Sequence, residues 1–170
     1  MDGISWLSLA WLDLAGWAAA LEGSATGAWM RGSSWAYPIV NLLHLLGLGL
    51  LVGPMLLLDL RLLGAGRLFS VAEVSAALTP FAVAGLLLLL PTGILLFTAD
   101  AGPLLGNRLL QVKLLLVALG VANALAFRWL WTARLKEWDW HPPRAGQLQA
   151  ALSALCWLAV GTLGRLIAYE

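Results

Sequence analysis

The chain has 170 residues, of which 61% are hydrophobic and 11% are charged, and its formal net charge is +1. Soluble domains carry roughly 25% charged residues, so this composition excludes an ordinary soluble fold and predicts that a lipid bilayer surrounds the chain. The near-neutral charge and the absence of a basic run give no sign of polyanion binding, so nucleic acid is not expected as a partner.

The N-terminal region, residues 4–35, is apolar but is interrupted by polar and acidic residues. Asp13 and Glu22 would be costly near the middle of a membrane, so we expect an amphipathic helix that lies along the membrane interface instead of crossing it. No Lys or Arg precedes Arg31, which leaves the region without the charged start of a cleaved signal peptide. Indole rings favour the headgroup boundary. The tryptophans expected to anchor this region are Trp6, Trp11, Trp17 and Trp35.

Four longer apolar segments follow, each close to the roughly 20 residues that a helix needs to cross a bilayer. They cover residues 37–60, 78–99, 108–131 and 147–168. The connections between them are short, and no internal repeat is visible. The sequence therefore predicts an all-α membrane protein, with one domain over residues 1–170 built on a four-transmembrane-helix bundle. Trp129 and Trp131 are expected to anchor the side opposite the N-terminal helix.

Lys and Arg residues flank the predicted helix ends unequally, and the richer side of a membrane protein is usually cytoplasmic. This asymmetry predicts that both termini face the outside and that the loop from Arg134 to Arg144 is cytoplasmic. On the assumption of a Gram-negative host, the outside is the periplasm and the membrane is the bacterial inner membrane. Near the cytoplasmic boundary we expect an ion-pair group of Asp59, Arg61 and Arg128, because unpaired charge is costly at that depth.

Each predicted span also carries a polar residue at a similar distance from the outer surface. His44 comes seven residues after Tyr37, which places it on the order of 10 Å deep at the rise of an α-helix. The residues expected at or next to this level are Asn41, His44, Thr92, Lys113 and Thr162. We expect them to form a polar layer or a small outward-facing pocket, in which His44 and Lys113 approach each other.

Four of these residues also have a purely structural interpretation. Lys113 can extend its stem to the headgroups. Thr92 and Thr162 can hydrogen-bond their own helix backbone. His44 can bridge two helices without binding a ligand. The polar layer by itself therefore does not decide between a binding site and a brace between helices.

A metal ion or a haem group is the sharper hypothesis for His44. The chain has two histidines, His44 and His141, and the predicted topology separates them by about a bilayer thickness. This separation excludes a bis-histidine haem within one chain, whereas copper, or haem b with a single histidine ligand, remains open. We find no Ser/His/Asp or Cys/His set and no phosphate-binding glycine pattern, so no catalytic residue is assigned.

The order of several short motifs resembles known membrane families. H-L-L-G at residues 44–47, T-G-x-L-L at 92–96 and K-L-L-L at 113–116 are similar to the copper-resistance D membrane domain. W-x-Y-P at 35–38 and L-D-L-R-L-L-G at 58–64 more closely resemble a bacterial family of unknown function, made of small four-span inner-membrane proteins. A more distant resemblance is to the membrane-bound J-type protoporphyrinogen oxidase, a b-haem protein with a first-helix histidine and a third-helix lysine. His44 and Lys113 match those two residues, although no second transmembrane histidine is present.

Together these features predict an integral inner-membrane protein whose outer-leaflet pocket binds a metal ion, a tetrapyrrole or a small ligand. The first alternative is an accessory or structural subunit that packs against other membrane-protein subunits. The second is a b-haem redox protein. The sequence assigns no enzymatic activity to these residues, and the second alternative leaves haem-dependent catalysis open.

Overall fold

The computed structural model describes the backbone of residues 6–167 and the side chains of residues 14–167. The helices are α1 (Trp6–Glu22), α2 (Ala25–Gly32), α3 (Ala36–Leu62), α4 (Val71–Ala99), α5 (Ala101–Gly106), α6 (Arg108–Trp131), continued by a 3-10 turn at Thr132–Arg134, and α7 (Arg144–Leu166). The side chains of Trp6 and Trp11, and residues 4, 5 and 168 of the predicted elements, lie outside the described residues. The described chain contains no strand, as the predicted all-α class requires.

Within residues 6–167, four helices are long and apolar enough to cross a membrane, namely Ala36–Leu62, Val71–Ala99, Arg108–Arg134 and Arg144–Leu166. They correspond in order to the four predicted spans, so the prediction of a four-helix membrane bundle is confirmed. The second helix begins at Val71, seven residues before the predicted start of its span. The reason is local, because Ser70 and Glu73 form a capping box that starts the helix before its apolar run.

The four spans pack in the order α4, α3, α7 and α6, with α3 and α4 making the most extensive contact. Two glycines explain how closely α3 and α4 approach. A Cβ atom on Gly85 would lie 2.5 Å from the Leu51 backbone nitrogen and 2.7 Å from the Gly47 carbonyl oxygen. In a bilayer, where apolar burial does not drive helices together, small residues permit the close packing that holds them.

Helices α1 and α2 dock at the end of the bundle where α3 begins and α4 ends, which we call the His44 side. The Arg31 guanidinium donates to the Ala99 carbonyl at 3.0 Å and to the Glu22 carbonyl at 2.7 Å. The Glu22 carboxylate in turn accepts from the Gly102 backbone nitrogen at 3.0 Å. Apolar residues of α1 are spread around the helix with little segregation to one face. Its orientation along the membrane interface stays a prediction.

The opposite end, where α3 ends and α7 begins, is organised around Trp138, and we call it the Trp138 side. The Trp138 side chain is 2% exposed. Its indole nitrogen donates to the Leu62 carbonyl at 3.1 Å, and its ring packs on Gly146. The loop between α6 and α7 is thereby folded back onto the bundle.

The predicted ion-pair group of Asp59, Arg61 and Arg128 is not the arrangement in the structure. Arg61 pairs with Asp139 in the loop after α6, and its Nε atom donates to the Phe69 carbonyl at 2.7 Å. Asp59 has no ion-pair partner among the described residues, and Arg128 is exposed. The pairing failed as a prediction because Asp139 reaches Arg61 only through the fold of the α6–α7 loop.

The predicted tryptophan anchors also differ from one another. Trp17, Trp35 and Trp129 are largely exposed, as a headgroup contact requires. Trp131 is half-buried, and its indole nitrogen donates to the Gln149 side-chain oxygen on α7 at 2.9 Å. Trp131 therefore joins two spans instead of serving only as an anchor.

Candidate functional site

His44 lies on the face of α3 that meets α4, and its ring contacts Thr92. The His44 Nδ1 and Thr92 Oγ1 atoms are 2.9 Å apart. The Thr92 hydroxyl also donates to the Leu88 carbonyl at 2.6 Å, and a hydroxyl has a single hydrogen to donate. We assign the Thr92 hydrogen to Leu88, its shortest contact, so that Thr92 accepts from His44 and Nδ1 carries a hydrogen. In the neutral imidazole this assignment leaves the lone pair on Nε2.

The Nε2 atom of His44 is available to a ligand. It has no hydrogen-bond partner among the described residues, and it is not one of the fully buried polar atoms left without one. Nε2 with its lone pair is a common donor to transition metals and to haem iron. The hydrogen bond from Nδ1 to Thr92 is the kind of contact that orients a ligating imidazole.

The local sequence of α4 explains why the imidazole fits there. Pro91 has no backbone N–H and so frees a carbonyl one turn earlier in the helix. Gly93 leaves space for the ring, because a Cβ atom at this position would lie 3.2 Å from His44 Cε1. The Pro91–Thr92–Gly93 sequence thus supplies a helix position without an N–H, an acceptor and space for the ring within a continuous helix.

Lys113 reaches the same end of the bundle from α6. Its side chain is half-buried, and its Nζ atom would lie 3.4 Å from a Cβ atom on Gly164, near the end of α7. A cation is favoured beside the carbonyl-rich end of a helix. Nζ has no hydrogen bond or ion pair with any described residue. The expected approach of Lys113 to His44 stays a prediction.

The structure places the other two predicted members of the layer on the outer surface. Asn41 is exposed, and the hydrogen-bond partner of His44 is Thr92 instead of Asn41. Thr162 is exposed and donates to the Leu158 carbonyl of its own helix at 2.9 Å. On α7 it is Gly164, not Thr162, that meets Lys113. The described contacts thus form two pairs at the same end of the bundle, His44 with Thr92 between α3 and α4, and Lys113 with Gly164 between α6 and α7.

A second buried polar group was not predicted from the sequence. Asp59 on α3 and Ser153 on α7 are each 3% exposed, and Trp157 on α7 is 1% exposed. The Asp59 Oδ2, Ser153 Oγ and Trp157 Nε1 atoms have no hydrogen-bond partner among the described residues. Buried polar atoms without partners are rare in folded proteins. The available signal was the pair Ser153 and Trp157, which lie four residues apart on one face of an apolar span.

The side chains of the described chain limit what kind of metal could bind. No group of three or more His, Cys, Asp and Glu residues is arranged to hold a metal ion in residues 14–167. A bare ion would therefore obtain few ligands from this chain. A tetrapyrrole brings four nitrogen ligands of its own, so a single protein nitrogen such as His44 Nε2 can complete its axial coordination.

Comparisons with known proteins found no relative of this chain. No family model, no curated protein and no solved structure matches the chain. The resemblance of its motifs to four-span membrane families therefore stays a prediction.

Proposed function

We propose that this multi-pass membrane protein binds a metal-bearing ligand through His44 Nε2, with a tetrapyrrole such as haem b as the preferred class. The observation that carries the proposal is the hydrogen-bond pattern of His44. With the Thr92 hydrogen assigned to Leu88, Thr92 accepts from Nδ1, and the opposite ring nitrogen keeps its lone pair and has no partner among the described residues. This arrangement supplies one oriented ligand at a defined position in the bundle.

Lys113 supports the same assignment from the side of α6. Its ammonium group has no ion-pair partner among the described side chains, and an unpaired cation inside a membrane segment is costly. Tetrapyrroles carry carboxylate side chains, and an ammonium group next to the ring can hold one of them. We infer that Lys113 provides this charge, while His44 provides the axial nitrogen.

The proposal also includes the membrane and the orientation of the protein. We propose that the protein lies in a bacterial inner membrane, with both termini in the periplasm and the site in the outer leaflet. The unequal distribution of cations around the helix ends supports this orientation. The ligand would then enter from the periplasmic side or from the outer leaflet.

The test is a visible spectrum and a metal analysis of the purified protein, expressed with sufficient haem precursor, iron and copper. We expect a Soret band, or a metal bound in a stoichiometric amount, that His44→Gln abolishes while the protein still folds. His141→Gln is the matched control, because it removes the other histidine from the exposed α6–α7 loop. Thr92→Val should keep His44 but weaken ligand binding by about 10- to 100-fold, since the imidazole loses the acceptor that orients it.

Two results would overturn the proposal. One is a wild-type protein that contains neither chromophore nor metal under these conditions. The other is a bound ligand that His44→Gln retains at full occupancy. Loss of the ligand in both histidine variants would instead show that the exposed loop binds it, and this too would contradict the assignment to His44.

A second candidate function is an accessory subunit of a larger membrane complex. The observation that favours it concerns α6, whose span contains the fewest buried residues of the four and which packs mainly against α7. Most of its surface is consequently free for lipid or for another membrane protein. A ligand-free wild-type protein that migrates in native gels as one large assembly, unchanged by His44→Gln, would favour this function.

A further inference from the structure

The Trp138 side contains a cavity that the proposed function does not use. It has a volume of about 460 Å³ and lies between the α3–α4 turn and the α6–α7 loop. Its main lining side chains are Arg61, Arg67, Lys136, Trp138, Asp139 and Trp140. Small-molecule pockets typically begin near 300 Å³, so the space is adequate for a small ligand or a lipid headgroup.

The cavity is positively charged. Three cations, Arg61, Arg67 and Lys136, line it together with one carboxylate, that of Asp139, which gives a net formal charge of +2. The Asp139 carboxylate is already satisfied, because it pairs with Arg61 and accepts from the Val71 backbone nitrogen at 3.1 Å. Its negative charge is therefore not free to neutralise the other two cations.

Arg67 and Lys136 are the two lining cations that do not pair with Asp139. Both side chains are exposed, and neither has an ion pair or hydrogen bond with a residue that the structure describes. They come from different parts of the chain, Arg67 from the turn after α3 and Lys136 from the loop after α6. Guanidinium and ammonium groups that converge on one space from two segments are suited to hold a phosphate group.

The surroundings of the cavity indicate where that phosphate comes from. Leu68 is 94% exposed and Trp140 is 82% exposed, and Phe69 next to Leu68 is also exposed. These apolar and indole side chains lie at the end of the spans, at the depth where a bilayer has its headgroups. Trp140 lines the cavity, and Leu68 and Phe69 lie in the chain between the lining residues Arg67 and Ser70. Exposed apolar side chains next to a cationic cavity match a molecule with an acyl chain and a phosphate.

We propose that this cavity binds the phosphate group of an anionic phospholipid. Arg67 and Lys136 contact the phosphate, and the Arg61–Asp139 ion pair forms the fixed floor beneath it. Exposed Leu68 and Trp140 lie against the adjoining acyl chains or glycerol. The site is at the opposite end of the bundle from His44, so it does not depend on the ligand proposed there.

The test measures lipid binding by native mass spectrometry of the purified full-length protein, titrated with phosphatidylglycerol or with phosphatidylcholine. We expect wild-type protein to retain phosphatidylglycerol preferentially. The double variant Arg67→Gln/Lys136→Gln should bind it about 30-fold more weakly, because each cation near a membrane surface contributes about fivefold. The matched control is Arg134→Gln/Arg144→Gln, which removes two exposed cations at the two ends of the α6–α7 connection that do not line the cavity, and it should bind like wild type.

A free phosphate could in principle use the same chemistry, so the titration is repeated with inorganic phosphate as competitor. Retention of the lipid in millimolar phosphate supports the lipid assignment, whereas displacement by phosphate at those concentrations overturns it. Equal weakening in both double variants would also overturn the proposal, because it would reflect general surface charge. If the cavity variant fails to fold, wild-type binding is measured in rising salt, and a preference for phosphatidylglycerol that salt leaves unchanged would overturn the cationic site.

Discussion

Replacing Gly85 by alanine tests the contact that positions His44 against α4. The new Cβ atom would lie 2.5 Å from the Leu51 backbone nitrogen and 2.7 Å from the Gly47 carbonyl oxygen. Ordinary contacts of this kind are about 3.5 Å, so α3 and α4 would have to separate by about 1 Å. The opposing atoms belong to a helix backbone and cannot turn aside as a flexible side chain could.

The expected cost follows from that geometry. Overpacking a close contact costs about 1–3 kcal/mol, and backbone atoms on the other side place Gly85→Ala at the upper end of this range. Alanine recovers up to about 1 kcal/mol of helix propensity. We therefore expect the free energy of unfolding to fall by about 2 kcal/mol, which is on the order of a 30-fold change in the unfolding equilibrium.

Gly49 provides the matched control on α3, because a Cβ atom there would meet nothing within 4 Å. Gly49→Ala should leave stability unchanged or raise it by up to about 1 kcal/mol. Both variants are unfolded from mild detergent by titration with sodium dodecyl sulfate and followed by tryptophan fluorescence. If Gly85→Ala unfolds at the same point as Gly49→Ala, then the close approach of α3 and α4 is not what holds these helices together.

Three further predictions concern the Trp138 half of the bundle. Asp59→Asn keeps the shape of a side chain that is 3% exposed and removes a charge without an ion-pair partner, so the same titration should show unchanged stability or a gain of about 1 kcal/mol. A clear loss would mean that the Asp59 carboxylate makes a stabilising contact that an amide cannot replace. Asp139→Ala leaves Arg61 unpaired and the Val71 N–H without its acceptor, and should cost about 2–3 kcal/mol given the partial exposure of Asp139. A cost below about 0.5 kcal/mol would show that water already solvates the pair. Trp140→Cys, in a Cys156→Ala background, should react with a membrane-impermeant maleimide only after the cells are permeabilised, and labelling of intact cells would refute the predicted orientation.

The order and identity of the spans could be predicted because a bilayer leaves few options for the backbone. Every N–H and C=O group in hydrocarbon must be bonded within the chain, so a long apolar segment has to be a helix. The short helices α2 and α5 could not be predicted in this way. They lie in the connections, where capping by Ser24 on α2 and the contact of Glu22 with Gly102 decide the local structure.

The candidate site was predicted in part. Depth along each helix follows from residue number and helical rise, which placed His44, Thr92 and Lys113 at one level. Depth says nothing about direction around the helix axis. In the structure His44 contacts Thr92, and Lys113 lies beside Gly164. Asn41 and Thr162 face outward at nearly the same level.

The sequence by itself therefore determined the class of the protein, its four spans and the level of its polar residues, because these depend on length and hydrophobicity alone. Only the tertiary structure decided which faces meet. Leucines that face lipid are as apolar as leucines in the core, so hydrophobic periodicity does not mark the buried face of a membrane helix. The rotation of each helix about its own axis is set instead by the places where backbones approach most closely, such as Gly47 against Gly85. Loops that fold back onto the bundle also contribute, such as the one that brings Asp139 to Arg61.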